Sequence, residues 1–341
     1  MSSSIKTTTI KMGGILCLTT AIALTPLAAL AENAKVVFGT NWLAQAEHGG
    51  FYQSVADGTY AACGLDVTIQ PGGPQVNNRA LMIAGKVDYH MGGNLLEAFS
   101  AVQEGIPVVA VAAAFQKEPQ VILTHPGKAK TFEDIKALPT IFIGDAGFAS
   151  FYQWMIASYG FTAEQRVPYT FNAAPFIADE NSAMQGYLSS EPFFVAKEGG
   201  FEPDVWLIAD AGYSTYSTLI ETMADTVATK PEQVTCFVEG SIKGWYNYLY
   251  GDNAAANAMI KTDNPDMTDE AIAYAIEKMK EAGIVDSGDA ETMGIGVMTD
   301  AKVKDFFDKM VIAGVVSEDI DYTKAFTTAF VGKGVGMDLK K

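Results

Sequence analysis

The stretch AKVVFGTNWLAQAEHGGFYQSVADGTYAACGLDVTIQPGG, residues 34–73, decides the fold class. Its opening AKVVFGT is a short run rich in β-branched and aromatic residues, which reads as a strand. GGFYQSVADGTYAAC places Phe51, Val55 and Tyr60 roughly on one face and reads as a helix. GLDVTIQPG returns to strand and is closed by Pro71-Gly72-Gly73. The alternation continues downstream. VNNRALMIAG reads as a short helix, VDYHMGG as a third strand, LLEAFSAVQEG as a helix and IPVVAVAAAF as a buried fourth strand. A right-handed β-α-β series of this kind leaves its loops at the carboxyl ends of the strands, where open α/β sheets bind ligands.

The texture changes at residues 116–119. QVILTHPG follows the fourth strand almost at once, so the chain is expected to cross into a second lobe there. TFEDIKALP reads as a helix with Thr131 as N-cap and Asp134 in its first turn. TIFIGD, VPYTFN and DVWLIAD read as strands, and AGFASFYQWMIASYG as an aromatic helix. AGYSTYSTLIETM is the expected second crossing. From Pro231 onward helical patterns dominate. The expected architecture is α/β: a first lobe from residues 32–116 and 213–341, a second lobe from 117–212, and a cleft between them suited to hinge closure.

Residues 1–31 are set aside. Lys6 and Lys11 precede an apolar stretch, residues 12–30, that ends in an Ala-x-Ala pattern at Ala29 and Ala31, as in a cleavable secretory signal. Cys17 follows Gly14-Ile15-Leu16 rather than a small residue, which argues against a lipid anchor. Loss of the two lysines takes the formal charge from −17 to about −19. So acidic an exported chain is unsuited to nucleic acid or an anionic membrane. Cys63 and Cys236 are too far apart in sequence to define a scaffold, and two buried free thiols are expected. There is no C-x-x-C or H-E-x-x-H, and His48, His90 and His125 are the only histidines, so neither metal nor cofactor is expected.

The combination NW, HGGFY, CGLDVTIQPGG, AGKVDYHMGG, EGIPVVAVAAAFQKEPQVIL and YLSSEPF resembles the periplasmic solute-binding proteins of ABC importers. More narrowly, it is similar to the branch named for thiamine-pyrimidine precursor binding, whose relatives take up sulfonates, taurine, nitrate or riboflavin. The resemblance spans essentially the whole mature chain. It implies a type II periplasmic-binding-protein fold, a periplasmic location and no catalysis. It also implies a small-molecule ligand delivered to an inner-membrane permease by a protein expected to be monomeric. A related fungal enzyme makes the pyrimidine and carries a cysteine-rich motif that this sequence lacks.

The ligand candidates are residues at strand ends. Trp42 follows the first strand, where an indole can stack a planar ring. Asn41 suits either a heterocycle edge or a turn cap. His48 precedes two glycines at a helix start, where bare backbone N–H groups are open to a ligand. Tyr52 lies in the first helical turn, fit for ligand or core. Gly93 and Asn94 end the third strand. Phe115 and Gln116 sit at the first crossing. Ser150 closes a strand-to-helix junction and suits a clasp or a cap. In the thiamine-precursor branch a glutamate in the YLSSEPF setting faces the ligand, and Glu191 matches it. Its carboxylate would accept two hydrogen bonds from an amino-heterocycle and repel anions. Tyr187 would flank the ring. Arg79 and Arg166, the only arginines, fall outside these segments. The expected ligand is therefore a neutral or cationic planar nitrogen heterocycle, a thiamine pyrimidine precursor first. Riboflavin, a sulfonate or taurine, nitrate and an aromatic acid are alternatives, with a pyrimidine-synthesis enzyme behind them.

Overall fold

A computed structural model describes residues 1–9, 32–73 and 76–340. The apolar stretch, Cys17 and the Ala29/Ala31 pattern lie outside the described residues. The chain divides into units 1–32 and 33–341. In the first, residues 1–9 are exposed and carry neither helix nor strand. The second contains two five-stranded sheets.

The first sheet holds β1 (Ala34–Gly39), β2 (Leu65–Gln70), β3 (Tyr89–Asn94), β4 (Val108–Phe115) and β10 (Ser217–Met223), in the order β2-β1-β3-β10-β4. β2 and β3 pair parallel to β1, and β10 runs antiparallel between β3 and β4. β2 alternates, with Leu65 and Val67 inward and Asp66 and Thr68 outward, as befits a half-solvated edge. β4, at the other edge, is almost wholly buried. Its outer side is covered by the C-terminal chain: the Ala113 N–H donates to Gly296, and the Thr327 N–H donates to Ala110. The VAVAAA run thus marks a covered edge rather than a central strand.

The second sheet holds β5 (Gln120–Thr124), β6 (Thr140–Ile143), β7 (Arg166–Pro168), β8 (Ser182–Tyr187) and β9 (Asp204–Leu207), in the order β7-β6-β8-β5-β9. The chain passes between the sheets at residues 116–119 and 208–216. The first passage is pinned by the Gln116 and Lys117 N–H groups, both donating to Ile284 O.

β8 and β10 are the strands that sequence patterning misses. SAMQGY lacks β-branched residues, and STLIETM follows the polar run AGYSTY, so tertiary pairing rather than propensity makes both extended. Residues 49–63 form two helices, Gly49–Ala56 and Thr59–Ala62, because Gly58 breaks them in the left-handed region at φ 74°. The aromatic helix is likewise broken at Ser150 into Asp145–Ala149 and Phe151–Tyr159. The Thr131/Asp134 capping box forms, on a 3₁₀ helix at Phe132–Ala137.

The HGG sequence has a packing explanation. Helix Gly49–Ala56 crosses the long helix Pro231–Tyr250 at minimal distance. A Cβ on Gly50 would lie 2.3 Å from the Trp245 ring, and one on Gly244 only 1.9 Å from Ser54 Oγ and 2.1 Å from Gly50 O. Above this contact Phe237 is sandwiched between Tyr89 at 4.2 Å and Tyr60 at 5.1 Å, both nearly parallel to it. The cysteines correct the sequence expectation. Cys63 and Cys236 are joined as a disulfide, Cα atoms 5.9 Å apart, and Cys63 is exposed rather than a buried thiol. The fold supplies the proximity that a separation of 173 residues conceals.

Two stability effects follow. Gly244→Ala must force the helices apart, and chemical denaturation should show a loss of about 3 kcal/mol or more. Cys63→Ser should lower stability by about 2–4 kcal/mol, and the double variant with Cys236→Ser should match the single one, since either change breaks the same bond.

Candidate functional site

The carboxyl ends of β1, β3, β4, β6, β7 and β8 point to one seam, where β5 and β10 also begin. This is where an open α/β sheet collects ligand-binding loops. Three contacts span the seam. The Ser189 hydroxyl, beyond β8, donates to the Glu47 carboxylate, beyond β1. Asn94 Nδ2, at the end of β3, donates to Glu118 Oε2 in the first passage at 2.9 Å. The Trp42 indole lies 4.9 Å from the Phe171 ring, planes inclined by 45°. Phe171 is 57% exposed and holds a φ of 60°, a backbone region that phenylalanine rarely adopts.

Glu191 stands at the start of helix Glu191–Gly199, and its Oε2 accepts the Tyr187 N–H at 2.7 Å. Gly186 makes room for this: a Cβ there would lie 2.8 Å from Glu191 Cβ. Burial pushes the Glu191 carboxyl up to about 7, against the Tyr187 N–H that favours its anion, and the nearby Glu47 adds to the rise. Burial likewise raises Glu118 to about 7, opposed by hydrogen bonds from Asn94, Gln120 and Ser217 and reinforced by Glu97. Glu47 is also raised by burial, with the Ser189 hydroxyl opposing. Tyr187, half-buried, is lifted by burial, then by Glu118, Glu47 and Glu191.

No arginine is free to offset these charges. Arg79 Nη2 donates to Glu97 O at 2.7 Å, and its Nε lies 3.3 Å from the buried Glu221. Arg166 pairs with Asp145, donates to Ile143 O and stacks over Phe148.

The structure brings Trp42, Asn94, Gly93, Tyr187 and Glu191 to the seam. Gly93 donates its N–H to Glu97 Oε2, and Asn94 Oδ1 caps the following helix by accepting the Leu96 N–H. Asn41, half-buried, adjoins Trp42. Other candidates are not gathered there. Tyr52 is fully buried, and its hydroxyl donates to Asp263 at 2.7 Å. Phe115 is core, packed edge-on to Trp245. Gln116 is buried and its amide donates to Ala113 O and Val297 O. The Ser150 hydroxyl donates to Ala146 O. His48 is buried at the helix entry, and burial lowers its pKa to about 3, so it is neutral. Its neighbouring glycines face Tyr248 and Trp245, not open space.

Sequence reading passed over Glu47, Glu118, Phe171 and Ser189. An acid within the apolar LAQAEHGGFY and another in the passage QKEPQ were the available signals. Two outer concavities, one of about 570 Å³ lined by Asn257, Ile272 and Lys280 and one of about 370 Å³ beside the disulfide, include none of these residues. Among the described residues no helix is long and apolar enough to cross a membrane.

Burial of these groups couples stability to pH. Carboxyls whose folded pKa is raised bind protons more tightly folded than unfolded, so stability rises as pH falls from about 8 toward their unfolded value. His48, with a lowered folded pKa, acts oppositely: it withdraws stability below about pH 6.5, where only the unfolded imidazole charges. Two or more such carboxyls outweigh the one histidine, so resistance to thermal unfolding should keep rising as pH falls from about 8 to about 5, less steeply below about pH 6.5. Glu118→Gln should flatten the rise between pH 8 and 7, and an unchanged slope would remove Glu118 from this account.

Comparison with known proteins places the fold. A conserved Candida albicans gene product, described as having the generic periplasmic binding protein fold, is 14% identical; the match covers 88% of this chain and 97% of that one, with TM-score 0.59. The alkanesulfonate-binding protein SsuA of Xanthomonas axonopodis pv. citri, bound to MOPS, is 12% identical over 87% of this chain and 99% of its own, with TM-score 0.59. The desulfurization enzyme DszB is 10% identical over 91% and 100%, with TM-score 0.53. No curated protein matches the sequence. At these identities the likeness concerns the fold, which is the type II periplasmic-binding-protein fold. Residues 45–256 match the NMT1/THI5-like family, well over half of the sequence, and the chain belongs to that family.

Proposed function

We propose that the protein is the solute-binding component of an ABC importer, working in the periplasm with an inner-membrane permease. It holds a planar nitrogen heterocycle between two lobes, each built on one sheet. The observation that carries this reading is the aromatic pair Trp42 and Phe171 facing across the seam, with the Glu191 carboxylate anchored beside it by the Tyr187 N–H. The two rings touch as they stand, and lobe opening would have to part them for a flat ligand to enter between them. A buried carboxylate accepts the paired N–H groups of an amino-heterocycle. A thiamine pyrimidine precursor remains the first candidate.

The fold is shared by alkanesulfonate binders and by a desulfurization enzyme. A sulfonate here would meet Glu47, Glu118 and Glu191, with both arginines engaged elsewhere. Like charge in a desolvated seam disfavours that ligand. The family supports the heterocycle reading through the branch that this sequence resembles.

Thermal unfolding against aminopyrimidines, thiamine, riboflavin, nucleobases, taurine, nitrate and aromatic acids tests it. A ligand at roughly a hundred times its dissociation constant adds about 2.7 kcal/mol. Amino-heterocycles should raise the midpoint, and Trp42→Ala should weaken them at least tenfold through lost stacking. A rise confined to sulfonates would sink the heterocycle assignment. Chemical turnover of the ligand would sink the binding role.

A further inference from the structure

Three carboxylates from separate segments are brought to the seam without a counter-charge. Glu47 faces the Ser189 hydroxyl, with Tyr187, Tyr248 and Glu191 in electrostatic reach and the neutral His48 beside it in the chain. Glu118 faces Asn94, Ser217, the Gln120 N–H and Glu97, and acts on Tyr187 and Tyr213. Glu191 faces the Tyr187 N–H, Tyr169 and Glu47. Bases of the neighbouring segments are engaged elsewhere: Arg79 with Glu97 O and Glu221, Lys302 with Gln116 O and the Tyr216 ring, and Lys117 with Asp210.

A second, independent feature points to a ligand. The Tyr248 and Tyr213 hydroxyls are fully buried and, among the described residues, have no hydrogen-bond partner. The first lies in the field of Glu47 and the second in that of Glu118. Buried hydroxyls are ordinarily hydrogen-bonded, so two left open beside two uncompensated acids mark a place built for a polar guest.

We propose that the seam takes a ligand carrying net positive charge, and that Glu47 and Glu118, acting with Glu191, impose that requirement. This rests on the solute-binding reading and deepens it. Closing the seam removes three carboxylates from water, which opposes closure while they are ionised. A cation between the lobes offsets that penalty, and so do protons. An uncharged ring can enter between the parted Trp42 and Phe171 rings but leaves the acids uncompensated. An anion adds to the repulsion. Glu47 and Glu118 therefore select charge, while Trp42 and Phe171 select flatness.

The sign of the pH dependence follows. The closed form holds its carboxyls at a raised pKa, so acid favours closure of the ligand-free protein. A cation binds through the ionised carboxylates, so acid weakens its binding. From about pH 8 to pH 6, one unit either side of the value for Glu118 and Glu191, cation affinity should fall about tenfold per participating carboxylate.

Two measurements on the protein, its Glu47→Gln and Glu118→Gln variants and the double variant test the proposal. Calorimetry uses thiamine as a permanent cation, riboflavin as an uncharged ring and methanesulfonate as an anion. Thiamine should bind tightest at pH 8 and lose about tenfold or more by pH 6, and each substitution should cost it about tenfold. Riboflavin or methanesulfonate binding as tightly as thiamine, or thiamine binding that ignores pH and both substitutions, would overturn the proposal. The second measurement needs no ligand. Small-angle scattering should show the wild type becoming more compact on acidification, and the double variant compact at both pH values. A radius independent of pH in the wild type would overturn the charge requirement. If no probe binds yet acid-driven compaction persists and is abolished in the double variant, the heterocycle reading fails while the charge requirement stands.

Discussion

Burying an acid without a base is the constraint on which the seam depends. A carboxylate removed from water must find hydrogen-bond donors, a counter-charge or a proton. Here the donors are small and specific: a serine hydroxyl for Glu47, an asparagine amide for Glu118, a backbone N–H for Glu191. Each satisfies part of a carboxylate and none neutralises it. The Ser189–Glu47 contact links segments from the two sheets, the Asn94–Glu118 contact links the first sheet to the passage between them, and both end on a carboxylate, so the seam is sensitive to charge.

The scaffold keeps this seam in register. The Gly50–Gly244 approach lets helix Gly49–Ala56 lie directly on the long helix Pro231–Tyr250, and the Phe237 stack fixes the long helix on the first sheet. The disulfide ties the approach to β2 to the same helix. The loop from Thr40 to Glu47 thus springs from a rigid base. Across the seam, Gly186 allows Glu191 to fold back onto the end of β8. Precision at the site comes from backbone approaches that only small residues permit.

Much of the fold was legible because its signals are local. Strands β1 to β4 and their intervening helices follow from periodicity and Gly/Pro punctuation, as does the alternation that makes the class α/β. β8 and β10 were not legible, since their extended form is imposed by neighbours on both sides. In sequence the glycines after His48 suit access for a ligand. They serve helix packing instead, and only the position of Tyr248 and Trp245 reveals this. Tyr52, Phe115 and Gln116 have residue types equally suited to pocket or core, and the packing placed them in the core.

By itself the sequence determined the α/β class, the acidic character, the scarcity of arginine and the place of Trp42 at the end of the first strand, because composition and strand-end position are properties of the chain; Glu191 was marked only by the family resemblance. Tertiary structure alone decided the pairing of Cys63 with Cys236, the meeting of Trp42 with Phe171, and the convergence of Glu47 and Glu118 with Glu191. The reason is physical. A side chain's charge state and partners depend on what desolvates it, and desolvation is set by segments far away along the chain.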